Sequence, residues 1–473
     1  MAGQSWYGCE AIVLRKHNRC IFFSHFFLAH IFACVVGSAL FTTPLHAQAY
    51  DLRGSVERAL QIHPGVQAAE MDVAIAQSQL AGAKAARFLP KLDFRTVVGP
   101  SPGARGNALI GETDLGDISV FSQTEASFVQ PIYTFGKLNG ARDAASAGVA
   151  AYEAGLIKSK ADLELQVFEV FYGLHLTNAL WDLAQEADGD FKKAHDFIAE
   201  KLENDEGEFT FSDLAKIETY SYDVAEKVHA ADKARAMAGS AMRLLLGLNA
   251  ADSLTLSGGI VPLEVEILPL SAYLELAASR PEMQQLDAVV EARKSLLQMA
   301  RSDLYPQIFL AGQFKYAYAP NRDDQKSPYA YDPLNSLQTG AVVGFQQSLS
   351  FGLTNSRVKM ANLEHQKIVY QQILANKGIL LEIEKVYRDL KEAEANLGAA
   401  EEARRAARRW FVAVRDGFNG GFEKASDMIE AVKEYGIIRA KYLEAVYNFN
   451  RGWAKLQRAT GRPILQSLGL TER

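Results

Sequence analysis

Apolar and polar positions change period along this chain in a fixed order, and that order then runs a second time. Leu52 to Ile62 and Val66 to Leu89 read as helices, rich in alanine and broken at Pro64 and Pro90. The period then drops to two. Leu92, Phe94, Thr96 and Val98 alternate with Asp93, Arg95 and Val97, and Ile118, Val120, Thr124, Ala126 and Phe128 alternate with Ser119, Gln123, Glu125 and Ser127. From Lys137 to about Ala199 the chain has no proline and is full of strong helix formers, and a return helix is predicted from about Ser212 to Leu246. In the second round, helices are predicted over Leu270 to Ser279 and Met283 to Leu304, with breaks at Pro281 and Pro306. Ile308, Leu310, Phe314, Tyr316 and Tyr318 alternate with Gln307, Gln313 and Lys315, and Ala341, Val343, Phe345 and Leu349 form a fourth set. Long helices follow from Leu353 to about Val414 and from Ser426 to Thr460. Sixty helical residues make a rod of roughly 90 Å.

Individual residues repeat as well as periods. Pro64 and Pro90 recur as Pro281 and Pro306, at offsets of 217 and 216. Gln130, Phe135, Gly136, Asn139 and Ala145 recur as Gln346, Phe351, Gly352, Asn355 and Ala361 at an offset of 216. Gly207, Ser212, Asp213 and Gly247 recur as Gly421, Ser426, Asp427 and Gly461 at 214. So long a period is no solenoid repeat; it predicts two similar halves, residues 50–250 and 270–462, joined by a linker over 251–269 and followed by a tail over 463–473.

Apolar on one face and polar on the other, over about ten residues, fits a membrane barrel strand, although a surface strand of a soluble sheet has the same pattern. The barrel strands are expected within about 91–135 and 306–351, with joining loops from Gly99 to Asp117 and Pro320 to Ser336 rich in Gly, Pro, Asn and Asp. Tyr316, Tyr318, Tyr329 and Tyr331 cluster as an interfacial aromatic belt would.

Composition narrows the destination. Arg15, Lys16 and Arg19 precede an apolar stretch from Ile21 to Phe41, and Ala47-Gln48-Ala49 reads as a cleavage site, so 1–49 is expected to be a signal peptide. An uncleaved anchor is the alternative, since Ser24, His25 and His30 interrupt the apolar stretch. Cys9, Cys20 and Cys34 are the chain's three cysteines and all precede that site, which leaves no disulfide, thiolate nucleophile or cysteine metal site. Net charge is -6; removing 1–49 takes away Arg15, Lys16, Arg19 and Glu10 and leaves -8, which argues against nucleic acid. After the signal no apolar run is long enough for a transmembrane helix. The protein is therefore expected to be periplasmic or secreted, or to cross the outer membrane as strands.

Catalytic chemistry is sparse. His63, His175, His195, His229 and His365 are scattered without metal-ligand spacing, and no GxSxG, P-loop or dinucleotide fingerprint occurs. No enzyme, cofactor or metal is expected. The run Glu401, Glu402, Arg404, Arg405, Arg408 and Arg409 reads as a solvated, salt-laced helix face.

The duplication, the helix-strand-strand-helix-helix order, the Pro-bounded helix ends, the Phe-Gly after the second strand and the Gly-x5-Asp turns together resemble the TolC-type outer membrane efflux family over essentially the whole mature sequence. The resemblance implies an α+β membrane protein and a homotrimer. Each chain would give four strands to one shared twelve-stranded β-barrel, continuing into a coiled-coil periplasmic tunnel. It also implies a trimeric exit duct in the outer-membrane lipid, docking an inner-membrane pump (RND or ABC type) through a periplasmic adaptor of the membrane fusion class. Strand physics agrees. Four strands cannot close and open edges are not tolerated in lipid, whereas twelve leave room for a lumen.

The resemblance places function at the hairpin tips, Glu200 to Phe211 and Arg415 to Lys424. Asp213 and Asp427 match the family's acidic gate positions, and Glu430, one turn beyond Asp427, matches a second. A threefold carboxylate ring favours cations. The alternative for Asp213 and Asp427 is helix N-terminal charge, with Ser212 and Ser426 as N-caps. Glu423 stands where the family's best-known members carry a locking arginine, with Lys424 beside it, and Phe418 stands where a gate tyrosine is common. Lys424 or Arg415 could take over the lock, and the Gly207 and Gly421 turns would meet the adaptor. Two further readings stay open, a structural or adhesive periplasmic coiled-coil protein and an exported hydrolase.

Overall fold

The computed structural model describes residues 49–106, 111–204, 209–324, 329, 331–350, 352–420 and 422–470; the expected signal peptide, apart from Ala49, lies outside them. The first copy runs β1 (Ala49–Tyr50), α1 (Leu52–Ile62), α2 (Pro64–Phe88), β2 (Lys91–Gly106), β3 (Gly111–Tyr133), α3 (Lys137–Glu203) and α4 (Phe211–Leu245). A short strand, β4 (Thr255–Leu256), pairs in parallel with β1. The second copy runs α5 (Leu270–Leu274), a 3-10 turn (Glu275–Ser279), α6 (Pro281–Ser302), β5 (Gln307–Tyr318), β6 (Ser336–Gln346), α7 (Leu353–Asn419) and α8 (Ala425–Ala459), closed by α9 (Ile464–Ser467). Each copy carries one helix of 67 residues, about 100 Å long, and one of 35.

Local chemistry sets the ends of these elements. The carboxylate of Asp51 accepts from the Gly54 N–H at 2.7 Å and starts α1. Pro64 opens α2, where its missing N–H costs nothing. The repeated Phe-Gly has a backbone reason: Gly136 and Gly352 precede the long helices at φ of 98° and 83°, a conformation glycine adopts freely. Phe135 stacks on Tyr305 at 5.2 Å and so ties this corner to the end of α6; Phe351 lies outside the described residues. Gly247 and Gly461 close the return helices with matching carbonyl contacts, from Leu248 N–H to Arg243 O and from Arg462 N–H to Gln457 O, both at 2.9 Å.

Four strands form one antiparallel sheet in the order β2-β3-β5-β6, which leaves β2 and β6 as open edges. Register settles the alternation. Leu92 faces Phe128, Phe94 faces Ala126, Ala126 faces Phe314, and Ile308 faces Phe345, so the four apolar sets share one face. Along Leu92–Pro102, Ile118–Gln130, Ile308–Tyr318 and Leu337–Phe345 that face carries no charged side chain. Its large members are open to the surroundings, Leu92 at 73% and Phe345 at 79% exposure. Phe128 lies across Gly312, where an added Cβ would meet its ring at 2.2 Å, and Phe309 covers Gly344 in the same way. Among the described residues no helix is long and apolar enough to cross a membrane.

One expectation fails here. The loop expected from Gly99 to Asp117 is mostly strand, since β2 continues to Gly106 and β3 begins at Gly111, with a register shift at Pro102/Gly103. Pro100 and Pro102 are tolerated because β2 is an edge strand with one side unpaired. The second-copy turn holds the extended hairpin. Asn321 Nδ2 donates to Ser101 O and Asp117 O, Arg322 Nη1 donates to Pro102 O at 2.9 Å, and Arg322 pairs with buried Asp332 at 2.6 Å.

The main core gathers α1, α3, α4, α5, α7, α8 and α9 around Val167, Phe168, Met242, Tyr273, Ile383, Leu456 and Ile464. Gly140 admits α6 closely: a Cβ there would sit 2.8 Å from Ser295 O. Beside this core, Arg458 of α8 donates to Asp162 at 2.6 Å and to Glu282 at 2.7 Å, while Arg280 reaches Glu282 at 3.2 Å and Glu382 at 2.7 Å. Burial pushes the Glu282 carboxyl upward, but hydrogen bonds from Arg280 and Arg458 and the Arg458 charge outweigh it and hold the pKa at about 2. Buried Asn450 binds the linker at two points, accepting from Leu263 N–H at 3.0 Å and donating to Val261 O at 2.8 Å. Glu164 accepts from the Leu465 N–H at 2.7 Å and so anchors the start of α9.

Candidate functional site at the helical hairpin tips

The long helices of each copy turn back at Asn204–Thr210 and at Gly420–Lys424. The helix starts after these turns differ from expectation. Thr210, not Ser212, is the N-cap of α4: its hydroxyl accepts from the Asp213 N–H at 3.2 Å, and Asp213 Oδ2 accepts from the Thr210 N–H at 2.9 Å and its hydroxyl at 2.7 Å. This reciprocal capping box satisfies donors that helix starts leave free, and it engages the Asp213 carboxylate. In the second copy the N-cap is Lys424, not Ser426, and no side chain caps the helix. Asp427 sits in the first turn, its carboxylate near the Ser426 hydroxyl at 3.3 Å, where the helix dipole favours a negative charge. A Thr at the cap position makes the difference, since a lysine has no short oxygen to offer the helix start.

Glu430 is exposed one turn beyond Asp427. Glu423 and Lys424 are exposed too, and the Glu423 side chain folds over Gly417, where an added Cβ would meet it at 2.7 Å. Among the described residues Lys424 forms no ion pair with Asp213 or Asp427, and Arg415 pairs instead with its neighbour Asp416 at 2.9 Å. Gly207 and Gly421 lie outside the described residues.

Aromatic contact joins the two tips. Phe418 of α7 meets Phe209 edge-on at 6.2 Å, and Phe209 meets Phe197 of α3 at 5.7 Å. Edge-to-face pairs at such distances are attractive beyond their buried area. Behind them a small second core packs Phe191, Ile198, Ile217 and Ile429. Sequence reasoning singled out Phe418 but not Phe209 or Phe197. Their only signal was two aromatics flanking a polar, Gly-containing turn.

Above this core the two hairpins enclose a cavity of about 230 Å³ lined by Phe191, Ile217, Phe411, Met428, Val432 and Tyr435 among others. Arg439 and Glu186 span its edge with two bonds of 2.9 Å, and the Arg439 hydrogen bonds hold the Glu186 carboxyl below its usual range. Lys433 lies over the Tyr220 ring at 4.0 Å. Contacts between copies near the tips are thus aromatic, apolar and, higher up, ionic. Among the described residues no group of three or more His, Cys, Asp or Glu could hold a metal ion.

Residues 272–462 match the family model described as outer membrane efflux protein. No curated protein sequence matches the chain. Among solved structures, the chain is similar to the Campylobacter jejuni CmeC outer membrane channel (TM-score 0.73, 16% identity, covering 87% of this chain and 85% of that one). It is similar to the open state of the Neisseria gonorrhoeae MtrE outer membrane channel, with a TM-score of 0.73 and 16% identity over 87% of this chain and 89% of the other. The outer membrane protein VceC of Vibrio cholerae matches at a TM-score of 0.68 and 17% identity, over 87% of this chain and 96% of that one.

Proposed function

We propose that the chain is a TolC-type outer membrane efflux protein, three copies of which form an exit duct in the outer membrane. Residues 272–462 match the outer membrane efflux protein model, and the fold of a solved outer membrane channel extends over 87% of the chain. A single observation carries this reading: a four-stranded sheet with two open edges and one wide face free of charge. In lipid each unpaired backbone group costs several kcal/mol, so the edges must meet edges of other copies. Three copies give twelve strands and a lumen. The rods α3 and α7 then continue the barrel as a tunnel into the periplasm, about 100 Å long.

Purified in mild detergent from outer-membrane fractions, the protein is expected to have the mass of a trimer by light scattering. A monomer, or purely soluble periplasmic protein, would sink this reading in favour of a periplasmic coiled-coil protein.

At the tips, Asp427 and Glu430 are the carboxylates left to focus negative potential in the pore, with Asp213 contributing from its capping box. Asp427→Asn with Glu430→Gln should weaken cation selectivity in planar bilayers, while Asp213→Asn should chiefly loosen the start of α4, by about 1 kcal/mol. Unchanged reversal potentials in the double variant would leave Asp427 and Glu430 a purely local role. The gate itself is assigned to Phe418 with Phe209, and Glu423 and Lys424 border it. On family resemblance we assign to the Gly207 and Gly421 turns the contact with a periplasmic adaptor of the membrane fusion class, which would couple the duct to an inner-membrane pump of RND or ABC type.

A further inference from the structure

Where β2 pairs in register from Lys91 to Pro102, the polar face carries its uncompensated charge in one row; beyond it, toward the β2–β3 turn, the same face carries the acidic Glu112, Asp114 and Asp117. Arg95 of β2 faces Glu125 of β3, and Glu125 faces Lys315 of β5, so three charged residues lie side by side across neighbouring strands. Strands lie about 4.8 Å apart, which sets Arg95 and Lys315 roughly 10 Å apart on either side of Glu125. The Glu125 carboxylate accepts from Gln313 Nε2 at 2.8 Å, and neither cation forms an ion pair among the described residues. Other cations of the sheet and its rim are paired: Lys91 with Asp93 at 3.0 Å, Arg105 with Asp323 at 3.1 Å, and Arg322 with Asp332 at 2.6 Å. The row therefore keeps one net positive charge per chain, on the face opposite the uncharged apolar one.

We propose that Arg95 and Lys315, with their copies in the trimer, form a cationic girdle within the barrel lumen that retains small multivalent anions. This rests on the exit-duct reading, in which the apolar face meets lipid and the polar face lines the lumen. Three copies carry three uncompensated charges around one ring, and a low-dielectric wall concentrates their field. Arginine offers a planar fork that matches phosphate oxygens, and lysine adds a point charge. The duct then carries two rings in series of opposite sign, acidic at the tips and basic within the barrel. Glu125 sets the strength of the second by cancelling one of its two cations.

The test is block of the purified trimer in planar bilayers by sodium tripolyphosphate added on the barrel side. Arg95→Gln with Lys315→Gln should weaken the block roughly tenfold and move the reversal potential toward cations. Glu125→Gln should strengthen the block several-fold, and Asp427→Asn should leave barrel-side block unchanged. Conducting channels whose block is the same in the double variant and in Glu125→Gln overturn the girdle and leave the duct standing. Wild-type trimers without conductance overturn the duct, and the girdle with it.

Discussion

Phe314→Arg is expected to remove most of the protein from the outer membrane. Phe314 lies on inner strand β5, between Ala126 and Thr339 on the uncharged face. An arginine near the bilayer midplane on the lipid face of a barrel costs about 2–4 kcal/mol per chain, and a trimer carries that cost three times. Ser127→Arg is the matched control. It sits one residue away in register, opposite Asp93 and Gln313 on the polar face. Membrane abundance of the trimer, followed by fractionation and by its mobility in unheated gels, should fall steeply for the first variant and stay near wild type for the second. Equal abundance of both would mean that the apolar face does not meet lipid.

Arg458→Ala should bring the second large loss, in the helical part. Arg458 joins Asp162 of α3 to Glu282 of α6 from its place on α8, at 2.6 and 2.7 Å. Its side chain is only 10% exposed, so its removal leaves two carboxylates at a half-dry site, Glu282 with Arg280 and Asp162 with the more exposed Lys158 as remaining cations. Breaking one partner of a buried pair costs about 3–5 kcal/mol. Calorimetry of the purified protein should show the loss, and Glu282→Gln in the same chain should recover part of it, because the two residues are coupled. The pH dependence has a definite sign. Glu282 is held at about 2, below the ordinary value of 4.5, so its contribution is complete above about pH 4.5 and is lost as pH falls toward 2. Glu282→Gln should lower stability near neutrality, where the contribution is complete, and flatten the profile as pH falls from about 4.5 toward 2.

The strands and rods were legible because their signals are chemical and periodic. The alternation at Leu92–Val98 and Ile308–Tyr318 was enough to predict an amphipathic sheet, and pairing register then put every set on the same face. Phe-Gly marked the corners where Gly136 and Gly352 turn into the long helices. Finer choices depended on tertiary contacts. Ser212 reads as a good cap, but Thr210 wins because Asp213 can answer it with a reciprocal bond. The Gly- and Pro-rich segment after Gly99 reads as loop, yet Asn321 and Arg322, more than two hundred residues away, hold it as strand. The pairing of β1 with β4 is two residues long and carries no period at all. At the tips, acidic residues could be placed by spacing, but contact between Phe209 and Phe418 joins the two copies and no local pattern announces it.

The two copies also keep a length standard. α3 and α7 begin and end at the same offset of 216, and α4 and α8 at the same offset of 214, so the difference of two residues falls wholly within the turns, 204–210 against 420–424. A residue gained or lost in one rod alone would move its end by about 1.5 Å and rotate every later side chain by about 100°. Change in reach therefore has to come in both copies and both limbs together, by whole turns, while the turns themselves are free to differ. In the proposed duct the hairpins would act as a paired gauge for the span between two membranes, and the unequal turns are where the threefold assembly would present six ends of two kinds.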